Sequence, residues 1–201
     1  MMQILAISGS LRAASTNTVL LNAAVALAPE NLKIIVYAGL ANLPHFNPDL
    51  DNDATEAVND FRSQLAKSAG VIISSPEYAH GVPGVLKNAL DWLVASGELY
   101  EKPVALFSAS PRATFAQASL TLTLSVMSVR LIKEASVVVP LLGKKLNESS
   151  VLADQGMYKA IHSALVTFAH AIDLVGTESK QNMIGDHRTD HRTETGGQKK
   201  K

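Results

Sequence analysis

Five short apolar runs, alternating with five stretches of helical periodicity, limit what this chain can fold into more than any other feature. The runs lie at residues 3–7, 32–37, 70–74, 103–108 and 134–139, each of the length and content of a buried strand. Helical patterns follow at 16–28, 54–68, 83–95, 113–129 and 153–174. Asp53 is the expected N-cap of the second helix and Pro83 the first residue of the third. In the last, Ile161, Leu165, Phe168 and Ile172 recur at the spacing of one apolar helix face. Strand and helix in strict alternation predict a parallel sheet covered by helices on both faces. Right-handed crossovers leave few topologies, and ligands in such sheets bind beyond the carboxyl ends of the strands, where the strand order reverses.

Composition narrows the function classes. The chain has 201 residues, 47% of them apolar, enough for one domain with a substantial core. The expected division is a folded domain over 1–178 and a polar tail over 179–201 without apolar periodicity, expected to be disordered. His187 and His191 in that tail are four apart, but no third metal ligand is evident, and the tail is expected to be solvated. There is no cysteine, which removes disulfides, a thiol nucleophile and zinc–cysteine sites, and suits a reducing cytoplasm. Lys plus Arg and Asp plus Glu both number 18, so nothing draws the chain generally to nucleic acid. No unbroken run of 18 apolar residues and no charged-then-apolar leader occur, so neither a membrane span nor a secretory signal is expected.

Two loops carry the chemistry. The first, Ser8-Gly9-Ser10-Leu11-Arg12-Ala13-Ala14-Ser15-Thr16-Asn17-Thr18, joins the first strand to the first helix. Hydroxyls and backbone N–H groups at a helix N-terminus suit a phosphate, and an arginine adds a matching fork of donors. It is not a Walker loop and lacks Gly-x-Gly-x-x-Gly, so a dinucleotide held in the Rossmann manner is not expected. The plainer reading is a helix N-cap helped by Thr16 or Asn17. The second loop leaves the third strand as Ser74-Ser75-Pro76-Glu77-Tyr78-Ala79-His80-Gly81. Pro76-Glu77-Tyr78 offers backbone donors and a flat ring to a planar ligand; the alternative is a simple turn with a half-buried tyrosine. The Glu77 carboxylate reads as solvated or paired with Lys87. Leu90, Trp92 and Leu93 read as the buried face of the third helix, and Asp91 as a cap, an ion-pair partner or a subunit contact.

Gly9-Ser10-Leu11-Arg12 with Ser15 and Asn17, then Pro76-Glu77-Tyr78, then Val82-Pro83-Gly84 with Leu86-Lys87-Asn88-Ala89 and Asp91-Trp92, resemble the NADPH-dependent FMN reductase family of flavodoxin-like proteins, over residues 3–175. The resemblance implies an α/β three-layer sandwich with a five-stranded parallel sheet in the order 2-1-3-4-5, whose reversal point lies between strands 1 and 3, where both loops emerge. It implies that Ser10, Arg12, Ser15, Thr16, Asn17 and Thr18 surround the FMN phosphate. Pro76, Glu77 and Tyr78 would face the isoalloxazine, and Ser108 and Ser110 would bond the ring edge. The implied activity is an NAD(P)H oxidoreductase in which hydride passes from NADPH or NADH through FMN to a quinone, azo, flavin or metal-oxyanion acceptor, in two half-reactions sharing one site. The cofactor supplies this chemistry, so no catalytic side chain is required. His80 stands as the one candidate, either a proton donor to a reduced quinone oxygen or an ordinary residue at the mouth of the site.

The resemblance further implies a homodimer or homotetramer, with the run Thr121–Ser128 read either as a helix contact between subunits or as an ordinary buried helix. Two departures from the family pattern stand out. No glycine occurs between residues 98 and 142, where relatives carry a Gly-rich loop, and Ala79 stands where Asn is common. Arg112 in that glycine-free loop is compatible with replacing lost contacts, attracting NADPH phosphates or lying on the surface. Two other functions fit the same fold. A flavodoxin-type electron carrier is opposed by the zero net charge, because such carriers are usually acidic. A flavin-free or weakly flavin-binding regulatory module is suggested by the missing glycines.

Overall fold

The computed structural model describes residues 1–51, 54–141 and 147–189, with the side chains of 178–189 excepted. Among the described residues six strands and six α-helices follow in order: β1 (Met2–Ser8), α1 (Thr16–Ala26), β2 (Leu32–Val36), α2 (Glu56–Lys67), β3 (Gly70–Ser74), α3 (Gly84–Asp91), β4 (Pro103–Ser108), α4 (Thr114–Val126), β5 (Arg130–Leu131), β6 (Val137–Val138), α5 (Glu148–Ala153) and α6 (Gln155–Thr189). The sheet order is β2-β1-β3-β4-β5, all parallel, with β6 also paired to β4. This is the expected flavodoxin-like arrangement.

The pleat divides the core in two. Ile4, Ala6, Ile72, Ala105 and Phe107 point to one face, under α1, α5 and α6. Leu5, Ile7, Val71, Ile73, Val104 and Leu106 point to the other, under α2, α3 and α4. Strands buried on both faces read as unbroken apolar runs, which is why periodicity located them. Ile161, Leu165, Phe168 and Ile172 are all buried, as their spacing predicts. A Cβ on Gly70 would stand 2.9 Å from both Phe168 and Ile172, so α6 packs directly on the backbone of β3. Residues 155–177 are long and apolar enough to cross a membrane by length and composition, but these four side chains lie in the sheet core.

Several boundaries differ from expectation, each for a tertiary reason. The fifth strand, expected over 134–139, is two short strands separated by a 3-10 turn at Lys133–Ala135. The Leu106 N–H, which a continuous strand would pair, donates instead to Ser136 Oγ at 3.0 Å. The third helix ends at Asp91 rather than near 95, because Arg62 of α2 takes the Trp92 carbonyl with two N–H donors at 2.7 and 3.3 Å. Pro83 is its N-cap, not its first helical residue. Helix α2 starts after Thr55; Asp53, the expected cap, lies outside the described residues. The expected last helix is found as α6, but a short extra helix, α5, precedes it where a loop was expected, and the Asp154 carboxylate, accepting from the N–H groups of Gly156 and Met157 at 2.9 and 3.0 Å, starts α6 anew. Helix α6 runs on to Thr189, beyond the expected start of the tail at 179; His191 and residues 190–201 lie outside the described residues.

Candidate active site

The loops after β1, β3 and β4 wall one cleft of about 300 Å³ at the carboxyl edge of the sheet. Its lining includes Ser10, Arg12, Ser15, Thr16 and Asn17 from the first loop, Pro76, Glu77 and Tyr78 from the second, and Ser110 and Arg112 from the third. Nine of the eleven binding residues expected from the sequence therefore meet in one place. The other two stand behind the wall. Thr18 Oγ1 bonds Ser8 Oγ at 3.0 Å, and the buried Ser108 donates to the Ser110 carbonyl at 2.8 Å.

The β1 loop is held by its own hydroxyls. Ser15 is the N-cap of α1, and its Oγ accepts from the Thr18 N–H at 3.4 Å, so Ser15 rather than Thr16 or Asn17 caps the helix. Asn17 is buried, with its Oδ1 accepting from Ser74 Oγ at 2.9 Å, which ties α1 to the end of β3 and leaves its amide N–H donors for other partners. A Cβ on Gly9 would come within 2.9 Å of Leu86 and 3.3 Å of the Ser75 backbone, so glycine is what allows the first two loops to touch. Arg12 is exposed, and no carboxylate partners it among the described residues.

The second loop ends in a tight hairpin turn. Tyr78 N–H donates to Gly81 O at 3.1 Å, and Gly81 N–H donates to Tyr78 O at 3.0 Å. Between them Ala79 and His80 have φ of 48° and 59°. Two left-handed residues in a two-residue connection are the I′ pattern, which normally recruits Asn or Gly. Holding an alanine there costs about 1–2 kcal/mol. The turn leaves Tyr78 half exposed, with its hydroxyl 3.3 Å from Ser10 Oγ, bridging the first and second loops.

Glu77 is placed otherwise than the sequence suggests. Its Oε2 accepts from the Ala116 N–H at 2.9 Å, and its Oε1 lies 3.3 Å from His80 Nδ1. Lys87 pairs with Asp91 instead. Helix α4 has no acidic residue in its first turn and no capping side chain of its own, so Glu77 supplies the missing acceptor and charge from another loop. His80 does not line the cleft. Its side chain is 78% exposed, and its ring packs edge-on to Phe115 at 4.8 Å. It packs beside the Glu77 carboxylate and Phe115. Leu90, Trp92 and Leu93 are buried as expected, and the Trp92 indole donates to the Pro44 carbonyl at 2.9 Å.

The cleft is also lined by Ala14, Ser75, Ala109 and Ala113, to which the sequence assigns no binding role. Small side chains in a loop carry little signal, and only their position after a strand end marks them.

Chemically, the cleft offers hydroxyl and amide donors at the N-terminus of α1, a free guanidinium and a half-exposed aromatic ring, without an internal acid–base pair. A monophosphate attached to a planar ring system fits that donor set. Comparison with known proteins agrees. A 2-hydroxy-1,4-benzoquinone reductase of Burkholderia is 40% identical over 91 residues, covering 45% of this chain and 49% of that protein. An NAD(P)H-dependent FMN reductase of Pseudomonas aeruginosa is 36% identical over 111 residues, covering 54% and 60%. The match spans about half to three fifths of the length of these curated relatives. Among solved structures, FerB, a flavoenzyme NAD(P)H:(acceptor) oxidoreductase from Paracoccus denitrificans, superposes with a TM-score of 0.71 at 26% identity, covering 88% of this chain and 98% of that one. The family model for NADPH-dependent FMN reductases matches residues 2–141, the stretch that contributes every wall of the cleft, and the chain belongs to that family.

Proposed function

We propose that the cleft holds FMN and that the protein is an NAD(P)H oxidoreductase acting on a small acceptor of the quinone class. The observation that carries this reading is the meeting of a hydroxyl-rich, arginine-bearing helix N-terminus with the Pro76–Tyr78 loop in one cleft. Ser10, Arg12, Ser15, Thr16 and Asn17 would hold the phosphate, the guanidinium and the N-terminus of α1 together offsetting its charge. The backbone of Pro76, Glu77 and Tyr78 and the hydroxyl of Ser110 would border the ring. Bound FMN supplies the redox chemistry, taking hydride from NAD(P)H and returning two electrons to the acceptor, which gains two protons in all. The chain's own work is to fix the phosphate, orient the ring and leave one face open. His80 is not needed as proton donor, since an open cleft admits water.

A cytoplasmic location, where reduced nicotinamide is available, belongs to the same proposal. So does assembly as a homodimer or homotetramer. All 13 residues of α4 are uncharged, and Phe115, Leu122 and Val126 on it are 58, 68 and 77% exposed, so a second copy could cover this face without burying a charge. Sedimentation of the purified protein tests this part separately.

The deciding experiment loads the protein with FMN, desalts it and records the visible spectrum. A retained flavin band, bleached by NADPH without air and restored by a quinone, is the expected result. Failure to retain FMN at any ratio would favour the flavin-free module. Retention without reduction by NADPH or NADH would favour an electron carrier.

A further inference from the structure

Two loops of this molecule share one build. β1 ends on Ser8 and β4 on Ser108, and the same Ser-x-Ser-x-Arg-Ala pattern starts at each: Ser8-Gly9-Ser10-Leu11-Arg12-Ala13 and Ser108-Ala109-Ser110-Pro111-Arg112-Ala113. The hydrogen bonds repeat with the residues. Ser8 Oγ donates to Ser10 O and accepts from Ser10 N–H, both at 3.4 Å, and Arg12 N–H donates to Ser10 Oγ at 3.3 Å. Ser108 Oγ donates to Ser110 O at 2.8 Å and accepts from Ser110 N–H at 3.4 Å, and Arg112 N–H donates to Ser110 Oγ at 3.1 Å.

Both arginines line the cleft. Neither has a carboxylate partner among the described residues, whereas Arg62 and Arg130 pair with Asp51 and Glu101. Glu77, the one acid in the cleft lining, is engaged by Ala116 N–H and His80. Two unpaired guanidinium groups on one cleft attract anions to it, and FMN carries one phosphate. β4 lies two strands from β1, about 10 Å at the usual spacing, so a phosphate on the β1 loop leaves Arg112 on the far side of the Pro76–Tyr78 loop.

We infer that the β4 loop is a second anion subsite, in which Arg112, with the Ser110 hydroxyl, recognises a phosphate-class group on the molecule that enters over the flavin. The inference rests on the FMN reading above. The helix behind each loop assigns the roles. The same third-position N–H is taken in both helices, but in α1 the acceptor at Thr18 is the neutral Ser15 hydroxyl, while in α4 the acceptor at Ala116 is the Glu77 carboxylate, whose charge weakens anion binding nearby. The second subsite therefore holds its anion against a nearby negative charge, chiefly through the Arg112 and Ser110 side chains. A weaker, exchangeable hold suits a substrate that leaves at every turnover. The group comes either from the ribose phosphate that distinguishes NADPH from NADH or from an anionic acceptor.

The test compares the FMN-loaded wild type with Arg112→Gln and Arg112→Lys. It measures flavin affinity by fluorescence, rapid reduction by NADPH and by NADH, and turnover with a sulfonated and a neutral quinone. A charge-assisted bond of this kind is worth about tenfold or more in affinity. For a coenzyme source, Arg112→Gln raises the apparent Kd for NADPH at least about tenfold, leaves NADH within about twofold, and Arg112→Lys recovers part of the loss. For an acceptor source, the same split falls between the sulfonated and the neutral quinone. Equal changes for charged and uncharged partners, or none, would overturn the inference, as would a tenfold loss of FMN affinity, which would give Arg112 to the flavin phosphate. A wild type that holds FMN but is reduced by neither coenzyme would instead remove the proposed activity, leaving the sulfonated and neutral molecules to be compared as competitors for the oxidised flavoprotein.

Discussion

The loop after β1 and the loop after β4 are written in nearly the same residues and held in different ways. In the first, Ser15 caps α1 from within its own segment, and Gly9 lets the backbone press against Ser75. In the second, Ala109 replaces the glycine, Ala113 cannot cap, and the acceptor for α4 comes from Glu77, 39 residues away in sequence. The difference teaches that a serine–arginine loop sets only its local curl. What it can bind depends on the charge of the group that caps the helix behind it. A loop backed by a helix end with a neutral hydroxyl cap suits a resident phosphate, and one whose helix end is capped by a carboxylate suits a transient one.

The largest effect that tests this comparison is on the flavin. Arg12→Gln should lower FMN affinity by about ten- to a hundredfold, the scale of a charge-assisted phosphate contact, as read by fluorescence titration. An equal loss in Arg112→Gln would mean that the two loops are equivalent, and the contrast would fail. Next come the two caps. Glu77→Ala should cost about 2 kcal/mol, because it leaves the Ala116 N–H without its acceptor and frees the third loop, while Ser15→Ala should cost about 1 kcal/mol. Glu77→Gln should recover most of the loss, since an amide oxygen still accepts. Urea unfolding midpoints decide, and a neutral Glu77→Ala would show that α4 does not need a cap from outside.

Smaller still is the turn between the loops. Ala79→Asn should stabilise the protein by about 0.5–1 kcal/mol, because asparagine tolerates a positive φ that alanine resists. No gain in melting temperature would mean that the left-handed turn is not kept in solution. The smallest effect concerns another cap supplied from afar. Lys102 Nζ donates to the Leu65 and Ser68 carbonyls, both at 2.7 Å, closing the C-terminus of α2. Burial lowers its pKa below the usual 10.5, partly opposed by Glu98. A lowered pKa means the folded state gives up the proton first. Stability should therefore rise with pH from that lowered value up to 10.5. Lys102→Gln should abolish that slope, which pH-dependent urea titration would detect.

The sheet was legible because its strands are buried on both faces and stand as apolar runs such as Val71-Ile72-Ile73. The two site loops were legible because they sit where such runs end, and their sequences carry hydroxyls, Pro and Arg that no core requires. The shape of the fifth strand was not, because Ser136 substitutes a side-chain oxygen for a ladder partner, and nothing in 134–139 announces that. The end of α3 was hidden for the same reason, since it depends on Arg62 reaching across from α2.

By itself the sequence determined the first four strand segments, which face of α6 is apolar, and that a hydroxyl- and arginine-bearing loop and an aromatic loop follow the first and third strands. These depend on neighbours within a few residues, so local pattern suffices. Tertiary structure alone decided that Glu77 turns from the solvent to the end of α4, that Thr18 and Ser108 stand behind the cleft, and that two like-built arginine loops face one cavity. Those facts depend on distances between residues far apart in the chain, which no local pattern records.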